Sequence, residues 1–189
     1  MSPTAAERGR EVRRKLLDAA VELIAERGWT AVSTRTIAER AQVAPGLVHY
    51  HFDSVQALLI EAATGRMREM ATMVGPTLAQ AKTPVEALGL LMAALDPYTG
   101  SDPLTILFVE TYLAATRDPE LRERVAGLLR EFRGQLAGWL REHGVPDPEM
   151  TATVLGAAID GLVMHRALDP AMTGAAITPV LGRVLGQQT

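Results

Sequence analysis

The sequence predicts an all-α protein: an N-terminal three-helix helix-turn-helix unit followed by a C-terminal helical bundle. Three observations carry this. Aromatic residues make up 4% of the chain and apolar residues 48%, so the core must be aliphatic. Such a composition favours packed helices over sheet. Apolar residues recur at three- and four-residue spacing, and no segment sustains an alternation of period two. Helix starts are punctuated by Ser, Thr or Asp, several followed by proline.

The elements follow in order. Val12, Leu16, Ala20, Leu23 and Ile24 place an amphipathic helix near residues 9–27, and Gly28 ends it. Ser33 suits the N-cap of a short helix over Thr34–Ala41. Gln42, Val43 and Ala44 form a turn, and Pro45 suits the first turn of a third helix near 45–51. Asp53 or Ser54 caps a fourth helix reaching about residue 74, where Gly75–Pro76 kinks or breaks it. Ser101–Asp102–Pro103, Asp118–Pro119–Glu120 and Asp147–Pro148–Glu149 each pair a capping side chain with proline at the first helical position. Ile60, Ala63, Met67, Met70 and Val74 form one apolar stripe. Leu121, Val125, Leu128, Phe132, Leu136 and Trp139 form another. Both read as bundle core. About nine helices are expected, divided into residues 1–56 and 57–189.

Composition narrows the function. With no cysteine, disulfides and thiolate metal sites are excluded. The segment MSPTAAERGREVRRK has no apolar stretch behind its basic residues, and no apolar run approaches the ~20 residues of a membrane helix. The expectation is a soluble cytoplasmic protein that does not engage a membrane. Net charge is −3. Residues 1–56 carry eight Arg/Lys against seven Asp/Glu, and the remainder eleven against fifteen. That weak asymmetry suits a nucleic-acid-binding unit on an acidic body.

Two of the four histidines flank a tyrosine in His49–Tyr50–His51. Residues two apart on a helix point about 200° from each other, so the two rings cannot share one metal ion. No nucleophile or third orienting group accompanies them, which argues against catalysis. Neither a metal nor a cofactor is expected. Two readings remain: His49 solvated with His51 packed, or His49 and Tyr50 donating to phosphate oxygens.

Residues 34–52 have the form of a helix-turn-helix. Ile37, Ala41, Val43 and Val48 would face a common core, and Ala38 is small where the helices cross. The resemblance is closer than that generic motif. Ala19–Ala20, Leu23, Gly28, Ser33–Ala41, Val43, Tyr50–His51–Phe52 and Ala57–Leu58–Leu59 resemble the N-terminal domain of the TetR family of transcriptional repressors over about residues 9–59. The resemblance implies phosphate contacts by Thr34 and Tyr50. It implies a base or phosphate contact by Arg35 and a base-facing start of the recognition helix at Pro45, Gly46 and Leu47. His49 would lie near a phosphate. Three departures stand out: Gln42 replaces the turn glycine, Leu47 a frequent threonine, and Val55 a phosphate-binding lysine. A modest salt dependence per monomer follows.

The same resemblance implies a dimer through the last two helices, near 149–168 and 175–186. Ala152, Gly156, Ala157 and Gly161 would permit close approach. Leu155, Leu162, Ile177, Val180, Leu181 and Val184 would bury apolar area; closing the monomer core is the alternative role. It further implies an effector pocket, with candidate wall residues Met67, Met70, Met92, Tyr98, Phe108, Tyr112, Phe132, Trp139, Asp160 and Met164. Their chemistry suits a small, mostly apolar molecule. Asp160 lies in an apolar run and would need a partner such as His165 or Arg166 if buried. The expected activity is repression from a palindromic double-stranded DNA operator, relieved by the effector. A helical small-molecule carrier or small enzyme with a vestigial DNA-binding motif is the rival reading.

Overall fold

The computed structural model describes residues 4–185, the Val184 side chain excepted, so Val184 as a pairing residue lies outside the description. Among the described residues there are ten α-helices, two short 3-10 turns and no strand. The helices are α1 (Ala5–Arg27), α2 (Thr34–Ala41), α3 (Gly46–His51), α4 (Val55–Thr72), α5 (Val74–Leu78), α6 (Pro84–Ala93), α7 (Pro103–Ala115), α8 (Pro119–Glu142), α9 (Pro148–Arg166) and α10 (Gly174–Gly182).

Local chemistry explains most boundaries. α1 begins earlier than its apolar stripe because Thr4 and Glu7 form a reciprocal capping box. Gly28, at φ +78°, ends it, and its N–H reaches the Ile24 carbonyl. A 3-10 turn over Trp29–Ala31 follows, which the periodicity does not announce. Ser33 caps α2 by accepting the Thr36 N–H. Gln42 closes α2 at φ 56°, ψ 45°. It therefore adopts the left-handed geometry of the glycine it replaces, at a cost of about 1–2 kcal/mol.

Ser54, not Asp53, caps α4, accepting the Ala57 N–H at 3.0 Å. α4 then stops at Met73, ahead of Gly75–Pro76. Pro76 is the third residue of α5, where a backbone N–H would have no intrahelical partner anyway. It is tolerated there and does not itself make the break. Asp102 caps α7 through Leu104 and Thr105, and Asp118 caps α8 through Leu121. Asp147 departs from this pattern. It sits at φ 45° and makes no side-chain capping bond to α9.

Two compact units result. One comprises residues up to Met67 with Ile106–Glu123; the other comprises Arg68–Thr105 and the chain from Arg124 on. The packing boundary thus falls beyond residue 56, and α4, α7 and α8 each run from one unit into the other. Leu16, Leu23, Ile24, Ile37, Val48 and Leu58 are fully buried in the first unit. The second is centred on Leu88, Met92, Leu136, Leu140, Ala152 and Leu155.

Candidate nucleic-acid interface

The helix-turn-helix is held in place by polar pairs on its inner and lateral sides. Arg40 of α2 binds Glu22 at 2.8 Å and Glu26 at 2.6 Å on α1. The Arg40 hydrogen bond holds the Glu26 carboxyl below its ordinary range, against an opposing desolvation. Arg13 of α1 binds Glu61 of α4 at 2.6 Å, and its guanidinium lies 4.8 Å from the centre of the Phe52 ring. Ile37, Ala38, Ala41, Val48 and Phe52 are buried beneath these pairs. Arg13 and Arg40 are thereby committed to packing.

The opposite side carries the residues the sequence singled out. Arg35, Pro45, Gly46, His49 and Tyr50 are exposed, while Thr34 and Leu47 are half-buried. Tyr50 is 80% exposed, an unusual position for a large apolar ring. His51 is half-buried and meets the Tyr50 ring edge-on at 5.0 Å, which fixes the tyrosine's direction. Among the described residues no three His, Cys, Asp or Glu side chains could hold a metal ion.

One support is absent from any local pattern. The Trp29 backbone N–H donates to Glu110 Oε2 at 2.9 Å, and its indole N–H donates to Gln56 Oε1 at 3.3 Å. Gln56 in turn donates to Asp118 Oδ2 at 2.6 Å. A Cβ on Gly28 would stand 3.2 Å from the Glu110 carboxylate. The start of α8 and the end of α7 are thus fastened to the helix-turn-helix within one compact unit. The bonded residues are 81 and 62 positions apart, beyond the reach of periodicity.

In the second unit, Met92 is buried at 1% exposure, and Phe132 and Trp139 pack half-buried against the core. Trp139 stacks on His143 at 3.6 Å. Met70 and Tyr98 are also half-buried, as are Met67, Phe108 and Tyr112 of the first unit. Asp160 is exposed and Met164 is 51% exposed, so neither faces the chain's interior. Arg166 is buried and turned elsewhere. It donates to the carbonyls of Leu95, Tyr98 and Met172 and lies 3.6 Å from Asp96. An open groove of about 320 Å³ runs between α6 and α10; of the candidate wall residues only Met92 borders it.

The proposed pairing face divides in two. Ala152, Leu155, Gly156 and Leu162 are buried in the chain's own core, Gly156 against the Phe132 ring. They close the monomer, because α9 turns this side inward. Its other side exposes Met150 (64%), Val154 (42%) and Met164 (51%), with Ala157 exposed and Gly161 half-buried between them; Leu168 (87%) is exposed in the turn after the helix. Val180 of α10 is 51% exposed; Ile177 and Leu181 are half-buried.

Residues 16–62 match the model of the bacterial regulatory proteins of the tetR family, and residues 82–187 match the tetracyclin repressor-like C-terminal domain. The chain belongs to the TetR family. It is a DNA-binding transcriptional regulator. It is 30% identical over 171 residues to the HTH-type transcriptional regulator BetI of Agrobacterium fabrum, covering 89% of this chain and 83% of that protein. The solved structure of SCO7518 from Streptomyces coelicolor A3(2) is 31% identical, with a TM-score of 0.78 over 94% of this chain and 99% of that one. A Saccharomonospora viridis protein solved in complex with choline shares the fold at 23% identity, with a TM-score of 0.76 over 95% of this chain and 97% of that one. Among this TetR chain's described residues, no helix is long and apolar enough to cross a membrane.

Proposed function

We propose that this TetR-family chain is a cytoplasmic repressor, without catalytic activity, that pairs through α9 and α10. The pair would bind a palindromic operator and leave it when a small, mostly apolar molecule binds. The observation that carries this reading is the uncovered stripe Met150, Val154, Ala157, Gly161 and Met164 on α9, with exposed Leu168 in the turn just past its end. Steps of four, three, four and three residues put the five helical residues on one face. A two-fold pairing of that face makes an isologous interface and sets two recognition helices for two half-sites.

In this reading Thr34, Arg35, Pro45, Gly46, Leu47, His49 and Tyr50 meet the DNA, and residues 57–189 serve ligand and partner. Met67, Met70, Met92, Tyr98, Phe108, Tyr112, Phe132 and Trp139 supply the effector wall. Met164 belongs to the pairing stripe and Asp160 to its edge, because both are exposed. The choline-bound neighbour, at 23% identity, informs the fold and not the choice of effector. The effector would bind the DNA-incompetent conformation more tightly and shift the population toward it.

The test is selection of bound fragments from random DNA at low salt, with Arg35→Ala and Tyr50→Ala alongside. The expected outcome is a palindrome with the wild-type chain, its general weakening in Tyr50→Ala and loss of one base preference per half-site in Arg35→Ala, with helicity unchanged; a wild-type chain that selects no palindrome would return the carrier reading to the front. Selection by both variants unchanged from that of the wild type would remove Arg35 and Tyr50 from DNA recognition and place the contacts elsewhere.

A further inference from the structure

The exposed pair on α2 shows how one base could be read. Arg35 Nε donates to Glu39 Oε1 at 2.8 Å, one helical turn on. Among the described residues, Glu39 is the one side-chain partner of Arg35, through Nε, and neither terminal Nη group has a partner. The arginine side chain is 85% exposed and the glutamate 60%. The two residues share the outward face of α2, opposite buried Ile37, Ala38 and Ala41.

A surface ion pair of this kind adds little stability, about 0.3–0.5 kcal/mol at i,i+4 spacing. Its geometric effect is larger. A free arginine samples many rotamers, and anchoring Nε removes much of that freedom while the Nη donors stay available. Two outward donors in a fixed plane match the O6 and N7 acceptors of guanine in the major groove. A phosphate contact would have no such need. A carboxylate beside a phosphate repels it and lowers general affinity for DNA. Glu39 therefore makes physical sense where Arg35 reads a base edge, and works against Arg35 where it grips the backbone.

We infer that Glu39 is a positioning residue that holds Arg35 for recognition of one guanine per half-site, trading general affinity for sequence discrimination. This rests on the DNA-regulator reading and deepens it. Glu39 touches Arg35 and not the DNA.

The experiment is selection from random double-stranded DNA with the full-length wild type, Glu39→Gln, Arg35→Ala and Arg35→Lys, at two salt concentrations. Base preference is read position by position. With the wild type, one guanine is enriched in each half-site. Arg35→Ala abolishes that preference and leaves the other positions intact; Arg35→Lys blunts it. Glu39→Gln lowers the guanine preference about tenfold while binding to unrelated DNA tightens. A stability role alone would move neither number. Unchanged guanine preference in Glu39→Gln overturns the inference. So does a uniform loss across all sequences in Arg35→Ala, which marks a phosphate contact. A wild-type chain that selects no sequence at all overturns the regulator reading itself and this inference with it.

Discussion

The helix-turn-helix unit and the last two helices solve opposite packing problems. The first is short of apolar area: α2 has eight residues and α3 six. It compensates with directed polar pairs, Arg40 to Glu22 and Glu26, Arg13 to Glu61, and Trp29 to Glu110. α9 has nineteen residues and buries one side in its own chain, yet leaves three large apolar side chains, Met150, Val154 and Met164, on the other. In the proposed reading, the polar unit presents its exposed face to DNA, and α9 presents its exposed apolar face to a second copy of the chain. The comparison teaches that exposure means different things by chemistry: an exposed tyrosine among Arg and His suits phosphates, an exposed Met–Val stripe suits a copy of itself.

The sharpest way to break this comparison is to charge the stripe. Ala157 lies in its middle and is exposed, so Ala157→Glu should fold as a monomer. In a two-fold pair each copy would bury one unpaired carboxylate, at roughly 3 kcal/mol per copy. The expected result is a monomer by sedimentation and an operator affinity lower by at least about a hundredfold. A dimer that survives Ala157→Glu would show that the stripe is not the pairing surface.

The two regions also differ in what the sequence reveals. In the first, local rules act at short range: Ser33 caps α2, Gly28 ends α1, and at the end of α3 Tyr50 is exposed while Phe52, the C-cap, is buried. The helix boundaries were thus legible from the residues themselves, whereas the DNA-facing set came from the TetR resemblance, and Thr34 and Leu47 of that set are half-buried. In the body, helix existence was legible from Asp102 and Asp118, but the face of α9 was not. Small residues lie on both sides of that helix, so Gly156 and Gly161 look alike until Phe132 is found against one of them. The Glu110 bond to Trp29 and the commitment of Arg166 to the 95–98 turn were illegible for another reason: they join residues 81 and roughly 70 positions apart.

Gly100 sharpens the contrast, since its role comes wholly from tertiary approach. It sits at φ +87°, and a Cβ there would lie 2.2 Å from the Ala167 backbone nitrogen. Backbone cannot yield as a flexible side chain does. Gly100→Ala should therefore cost on the order of 3 kcal/mol and loosen the Arg166 clamp beside it. Gly9, inside α1 with nothing within 4 Å of a Cβ, is the control. Gly9→Ala should gain about 0.5–1 kcal/mol from helix propensity alone. Denaturant midpoints of the two variants should move in opposite directions. Equal midpoints would mean that residues 95–101 do not hold the body together.

The smallest effect concerns the helix-turn-helix itself. Gln42 holds a left-handed backbone at φ 56° while its side chain is exposed. Glycine would relieve about 1–2 kcal/mol of steric cost. It would also give back roughly 0.5–1 kcal/mol through the freer unfolded chain. Gln42→Gly should thus stabilise the protein by roughly 0.5 kcal/mol and raise its Tm by about 1–2 °C. Operator affinity should not change, because the turn conformation is already the one glycine would take. A fall in Tm would show that the Gln42 side chain contributes more than its exposure indicates. A rise in Tm with weaker DNA binding would show that strain in the turn sets the angle between α2 and α3, making the polar unit's precision a property of its least comfortable residue.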